Sequence, residues 1–187
     1  LEWGALSGGL STPQAWVAAV RDGSALRLFT ALFLHADWAH LLGNLVFLLI
    51  FGLPAERAMG PWRFLLLFLV GGAVANVAAV LSIGTPDRVI IGASGAISAV
   101  IGAYLALFPT AKLGVVLPLG LFLEFVKAPA SLLIGIWALL QVVFAYTGPA
   151  FGAVAWWAHI AGFLFGVVFA LFVRAAIARR MRKRQGY

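Results

Sequence analysis

The sequence predicts an all-α fold, a polytopic transmembrane helical bundle, and three observations carry that reading. Of 187 residues, 64% are hydrophobic and only 10% charged, whereas about a quarter of residues are charged in soluble globular domains. Five apolar runs of 15 residues or more alternate with short segments rich in Gly, Pro and charge; as helices such runs are long enough to cross a hydrocarbon core of about 30 Å. The basic residues also gather at one end: Arg174, Arg179, Arg180, Arg182, Lys183 and Arg184 are six of the thirteen Lys and Arg.

That clustering decides how the net charge of +7 is read. A basic stretch directly after an apolar span is a juxtamembrane cytoplasmic anchor against the lipid bilayer, so no nucleic acid is expected as a partner. With no cysteine in the chain, disulfides, thiolate chemistry and zinc-cysteine sites are excluded.

The expected spans are Ala39 to Leu53, Trp62 to Ile83, Gly92 to Phe108, Ala130 to Tyr146, and Val154 to Val173. Residues 1–38 carry Trp3, Trp16 and Trp38 and the short apolar run Leu28 to Leu34, which suits a segment lying at the interface. The chain therefore divides into an outer interfacial segment (1–38), a transmembrane core (39–174) and a basic cytoplasmic tail (175–187). Leu113 to Val126 is too short to span, is interrupted by Pro118 and Gly120, and carries Glu124; it is read as a loop lying on the membrane.

Charge counting supports this topology. With the tail cytoplasmic, Arg57, Arg63, Lys112 and Lys127 join the six tail residues inside, and only Arg21, Arg27 and Arg88 lie outside, as the positive-inside rule requires. Residue 1 then lies outside. Residues 1–27 have no signal-peptide pattern, and a full-length protein with a cytoplasmic N-terminus is expected to need a sixth helix upstream.

Chemistry is sought among polar groups within apolar spans, where they are costly and therefore functional candidates. His35, His40 and His159 are the only histidines, and each lies near the outer end of a span; capping or a local hydrogen bond is the alternative use of each. His40 and Asn44 are one helical turn apart on one face. A metal there fails on ligand count, since the first span holds no cysteine or carboxylate. Ser94 lies in Gly92-Ala93-Ser94-Gly95, where small neighbours leave the hydroxyl open and first-turn amides lack intrahelical partners; a serine merely capping a Gly-rich helix start is the alternative. His159 precedes Gly162 and Gly166 on successive turns, so another helix can approach this face closely. Gly71 and Ala75 offer the same on the second span, where ordinary packing is a sufficient use. If the second and fourth spans each cross once, the first, third and fifth run in parallel. His40, Asn44, Ser94 and His159 then share one end. All six acids, Glu2, Asp22, Asp37, Glu56, Asp87 and Glu124, fall outside the span interiors. A Ser-His dyad is therefore expected in place of a Ser-His-Asp triad, with no metal and no cofactor.

These residues resemble those of the rhomboid intramembrane proteases. The similarity rests on His-x4-His-x3-Asn (His35, His40, Asn44), Gly-x-Ser-Gly (Gly92, Ser94, Gly95) and His-x2-Gly-x3-Gly (His159, Gly162, Gly166), in family order from about Leu28 to Val173. The resemblance implies a six-helix core, five of whose spans are in this chain. It also implies a serine endopeptidase whose Ser94 and His159 lie below the outer surface in a water-filled cavity. His40 and Asn44 would be oxyanion donors, and His35 would shape the cavity or loop. Glu56 and Arg57 resemble a structural pair that follows the family's second helix. One position departs from the pattern: some members have an aromatic residue four places after the nucleophile, to pack on the catalytic imidazole, and here it is Ser98. Trp156, Trp157 and Tyr104 are candidate replacements.

The implied partners are transmembrane helices of membrane-protein substrates, cut near the outer face of the cell membrane, a bacterial inner membrane being the expected setting. A monomer suffices for catalysis and the sequence does not fix the oligomeric state. The uncharged connection Thr147 to Ala153 is a candidate lid. The rival readings are a rhomboid-like protein that binds transmembrane helices without cutting them, and a small transporter.

Overall fold

The computed structural model describes residues 2–8, 10–83, 88–119, 122–147 and 155–184. The chain begins with a short strand, β1 (Ala5–Leu6), and an exposed helix, α1 (Pro13–Arg21). Thr12 caps α1, its hydroxyl accepting from the Ala15 amide at 3.1 Å, which satisfies one of the orphan donors of a helix start. After Gly23, in the left-handed region at φ 79°, come a 3-10 turn, the four-residue α2 (Arg27–Thr30) and a second 3-10 turn ending at Phe33. None of these is long enough to span a membrane. Ala31 and Leu32 are nonetheless fully buried, because Leu32 packs over Gly72 of the second span.

The first span runs from Trp38 to Met59, past the Leu53 boundary expected from the sequence. It consists of α3 (Trp38–Phe47), a widened π turn (Leu48–Gly52) and α4 (Leu53–Met59). Pro54 explains both the expectation and its failure. It lacks the N–H that would bond one turn back and its ring crowds that carbonyl, yet the wider turn before it absorbs the clash and the helix continues. At Gly60, whose φ of 89° suits glycine, the chain reverses into α5 (Pro61–Ser82).

Strand β2 (Val89–Ile90) returns to pair antiparallel with β1, Ala5 opposite Ile90 and Leu6 opposite Val89. Then comes α6 (Ser94–Leu107), in which every residue from Gly95 to Tyr104 is buried. At fourteen residues, α6 is roughly 21 Å long, well short of the hydrocarbon thickness of about 30 Å. It can be short because protein surrounds it. Gly71 and Ala75 of α5 abut Ala99 and Gly95 on one side, and the fifth span covers the other.

The segment after α6 corrects a sequence expectation. Instead of a loop, Lys112 to Pro129 forms an antiparallel hairpin of β3 (Lys112–Leu119) and β4 (Phe122–Pro129), in register from Lys112 opposite Pro129 to Leu119 opposite Phe122. Pro118 was read as an interruption of an apolar run, but it lies within a ribbon whose β-branched Val115, Val116 and Val126 suit extended backbone; Gly120, read the same way, lies outside the described residues. The Ala130 amide donates to the Ala111 carbonyl at 2.8 Å and closes the base of the ribbon.

The fourth span, α7 (Ala130–Thr147), buries only Ala130, Ile134 and Gln141 among its residues. The last, α8 (Trp156–Arg184), continues through most of the expected tail. It does so because Ile177 is buried and the Arg180 guanidinium lies over Gly60, so these turns still pack on the bundle. Among the described residues, four helices are long and apolar enough to cross a membrane: Trp38–Met59, Pro61–Ser82, Ala130–Thr147 and Trp156–Arg180. Their outward faces carry exposed Leu66, Leu139 and Phe172, the inside-out pattern expected where lipid is the solvent. Asp87 and residues 148–153, which include most of the expected lid, lie outside the described residues.

Candidate active site

Three helix N-termini meet at one end of the bundle. α3 contributes His40 and Asn44, α6 contributes Ser94, and α8 contributes His159. The glycines explain how they come so close. A methyl group on Gly162 would fall on the Gly95 carbonyl, one on Gly166 on the Ala99 carbonyl, and one on Gly102 on the Phe163 carbonyl. The α6 and α8 backbones are therefore in contact along their length, as the spacing of Gly162 and Gly166 predicts.

The Ser94 Oγ and His159 Nε2 stand 2.9 Å apart, a hydrogen bond of ordinary length. Ser94 is half-buried at the first position of α6. Gly95 abuts Ala75, and α5 runs on to Ser82, two further turns or roughly 10 Å. The hydroxyl is thus recessed within the bundle.

The turn before Ser94 is fixed from two sides. Gly92 has φ 116°, and its amide donates to the Ala31 carbonyl at 2.9 Å. The His40 ring occupies the space a side chain would need: a methyl at position 92 would stand 2.7 Å from Cε1 and 2.8 Å from Nε2, with Asn44 Nδ2 at 3.9 Å. His40 Nδ1 accepts from the Ala36 amide at 3.4 Å, which leaves the proton on Nε2, toward the site. Asn44 is 9% exposed, and its Nδ2 is buried without a partner among the described residues. Two donors therefore face the space beside Ser94.

His35 meets His40 edge to face, the rings 5.1 Å apart, with its Nε2 buried and unpartnered among the described residues. Burial, reinforced by the neighbouring His40, holds the His35 imidazole below its ordinary pKa. Among the described residues no three His, Asp or Glu side chains stand together as metal ligands would.

Ser98, where an aromatic was sought, donates its hydroxyl to the Ser94 carbonyl at 2.7 Å. Of the candidate replacements, Trp156 meets His159 edge to face at 6.0 Å. Tyr104 packs instead on Phe51 and Phe108, and Trp157 on Tyr146. The second hydrogen-bond partner of His159, closer even than Ser94, is a residue that sequence reasoning passed over. Gln141 of α7, 6% exposed, brings its Oε1 to 2.7 Å from His159 Nδ1, while its Nε2 donates to the Trp137 carbonyl at 3.3 Å. An amide buried in an otherwise apolar span was the signal that could have found it.

Two cavities flank the pair. One, of about 300 Å³, lies among His40, Asn44, Ser94, Gln141, Trp156 and His159. The other, of about 610 Å³, lies on the opposite side of Ser94 and reaches Arg88 and Asn76. A serine and a histidine in contact, two polar donors and a space on either side are the parts that acyl transfer requires.

Comparison with known proteins bears on the family of the chain. A profile of the Rhomboid domain matches residues 22–176. The Bacillus subtilis (strain 168) protein "Rhomboid protease GluP" is 37% identical over 86 residues, covering 46% of this chain and 16% of that protein. The Arabidopsis thaliana "RHOMBOID-like protein 5" is 31% identical over 87 residues, 46% of this chain and 28% of that protein. Another from the same plant, "Rhomboid-like protein 11, chloroplastic", is 43% identical over 68 residues, 36% of this chain and 24% of that protein. The chain spans less than a third of the length of each of these relatives. The Rhomboid match covers most of the chain and coincides with the bundle that carries the site: this multi-pass membrane protein belongs to the rhomboid family.

Proposed function

We propose that the protein is an intramembrane serine endopeptidase that cleaves transmembrane segments of other membrane proteins with a Ser94-His159 dyad. The observation that carries this reading is the 2.9 Å contact between Ser94 Oγ and His159 Nε2 inside a recess between two cavities. Among its relatives is a protein named as a rhomboid protease, which supports the same class of chemistry.

The Ser94 Oγ attacks a peptide carbonyl carbon of the substrate while its proton passes to His159 Nε2. The carbonyl oxygen becomes an oxyanion facing His40 Nε2–H, Asn44 Nδ2–H and the Ser94 amide, which as a first-turn group has no intrahelical partner. Collapse breaks the C–N bond, His159 returns the proton to the leaving amine, and an acyl-enzyme remains. Water, deprotonated by His159, then hydrolyses the ester and restores the Ser94 hydroxyl.

A carbonyl within a helix is already hydrogen-bonded, so the substrate must unwind locally, and small or helix-breaking residues near the cut are the expected preference. The charge distribution supports a cytoplasmic basic end of α8, and with it cleavage near the outer face of a cell membrane.

The test is labelling of the purified, detergent-solubilised protein by a fluorophosphonate, comparing the wild type with Ser94→Ala and His159→Ala. Labelling of the wild type alone is the expected result. A folded wild type that stays unlabelled would sink the protease reading and leave a helix-binding, non-cutting role in its place.

A further inference from the structure

Gln141 lies on α7, one of the two least buried spans, and is the only polar residue that helix buries among those described. Its environment fixes which way its amide faces. The Nε2 donates to the Trp137 carbonyl one turn back, and a carbonyl can only accept, so Oε1 is the atom left to face His159 Nδ1 at 2.7 Å. An amide oxygen likewise only accepts, so Nδ1 must carry the proton. A neutral imidazole has one N–H. Its Nε2, 2.9 Å from Ser94 Oγ, is then a bare lone pair, the form a general base requires.

From this geometry we infer that Gln141 is a positioning residue: it selects the Nδ1–H tautomer of His159 and holds the ring toward Ser94, in the place an aspartate occupies in a Ser-His-Asp triad. This rests on the proposed dyad. A neutral amide suits the site better than a carboxylate, because the span around it is apolar, with Leu140 and Val142 beside it in sequence, and an ionised acid would be costly there. The amide also completes what Ser98 leaves undone. With a small side chain at that position the ring has no flat aromatic support from α6, and Trp156 touches it only by an edge.

A helix-to-helix tether alone would predict lower stability on removing Gln141 and nothing about the imidazole. The inference predicts a change at His159 itself. In protein labelled with 15N-histidine, whose three signals are assigned through His35→Gln and His40→Gln variants, wild-type His159 should show a protonated Nδ1 and an unprotonated Nε2. Gln141→Leu should lose that preference. Its fluorophosphonate inactivation should slow by about 10- to 100-fold in the maximal rate, with little change in the half-saturating concentration, because tautomer selection is only part of what a general base contributes.

A wild-type His159 protonated at Nε2 would overturn the inference, and that reading needs no variant to fold. So would a Gln141→Leu protein that keeps both the signature and the rate. Equal labelling of wild type, Ser94→Ala and His159→Ala would instead remove the dyad, while the nitrogen signature would still report whether Gln141 governs the ring.

Discussion

The imidazole of His40 lies against the backbone of Gly92, leaving no room for a side chain there: a methyl at position 92 would stand 2.8 Å from His40 Nε2. The contact joins the start of the first span to the turn that presents Ser94. Any group added at position 92 must therefore push His40 or the nucleophile aside.

Gly92→Ala should consequently do more than strain the chain. The φ of 116° is one a Cβ disfavours, at about 1–3 kcal/mol, and displacing His40 or Ser94 by an ångström typically costs about 100-fold in rate. A lower midpoint of thermal unfolding together with a labelling rate reduced to that extent is the expected result. Wild-type labelling in the variant would mean that His40 does not act on the reaction.

Asn44→Ala separates function from fold. Its Nδ2 has no partner among the described residues, so truncation removes no hydrogen bond of that donor and stability should hold within about 1 kcal/mol. Loss of an oxyanion donor typically slows turnover by about 100- to 1,000-fold. A stable protein with slowed labelling is expected; a stable protein with normal labelling would take Asn44 out of the mechanism.

Gly166→Val should fail at the level of packing. A first side-chain carbon at Gly166 falls on the Ala99 carbonyl, and backbone cannot yield as a flexible side chain can. Overpacking of this kind costs about 1–3 kcal/mol or more, and α6 would have to part from α8. Loss of the folded species on size-exclusion chromatography, with the remainder unlabelled, would show it.

Asn76→Leu probes the brace on the nucleophile turn. Asn76 is 3% exposed and donates to the Leu28 carbonyl at 2.8 Å, tying the interfacial segment to α5 three residues before Ala31 receives the Gly92 amide. Leaving that carbonyl unpartnered should cost about 1–3 kcal/mol, read as a lower unfolding midpoint. Labelling should slow less than in the Gly92 variant, because Ser94 is not itself moved.

The depressed pKa of His35 carries a pH dependence. The folded state disfavours the charged imidazole more than the unfolded state does, so the unfolded chain binds more protons below the ordinary histidine value of about 6.5. Stability should therefore fall as pH drops through that value. His35→Phe should flatten this slope relative to the wild type in unfolding measured from pH 7.5 to 5.5; an unchanged slope would assign the effect to other groups.

Much of the bundle and of the candidate site was legible because membrane burial makes polar residues conspicuous. His40, Asn44, Ser94 and His159 are brought together, and the glycines at 162 and 166 face backbone as their spacing foretold. Gln141 escaped notice for a physical reason. Asn44, also an amide, was noticed because it lies one turn from a histidine, whereas Gln141 has no chemistry-bearing residue beside it in sequence and meets His159 only through the packing of α7 on α8. The hairpin was missed because a short apolar run has no period long enough to tell strand from helix. The first span was cut short at a proline whose local damage the π turn repairs, and α8 was ended where charge begins, although Ile177 and Arg180 still pack on the bundle.

The ribbon between α6 and α7 leaves and returns at one level, with Lys112 opposite Pro129 and its base closed by the Ala111–Ala130 bond. Its length is therefore uncoupled from the sidedness of everything after it. Shortening the two strands together, or grafting a fluorescent reporter at the tip, leaves α7 entering the bundle at the same height. Gln141 would then still arrive opposite His159. The closed base makes this ribbon the connection at which a change of length should leave that contact intact.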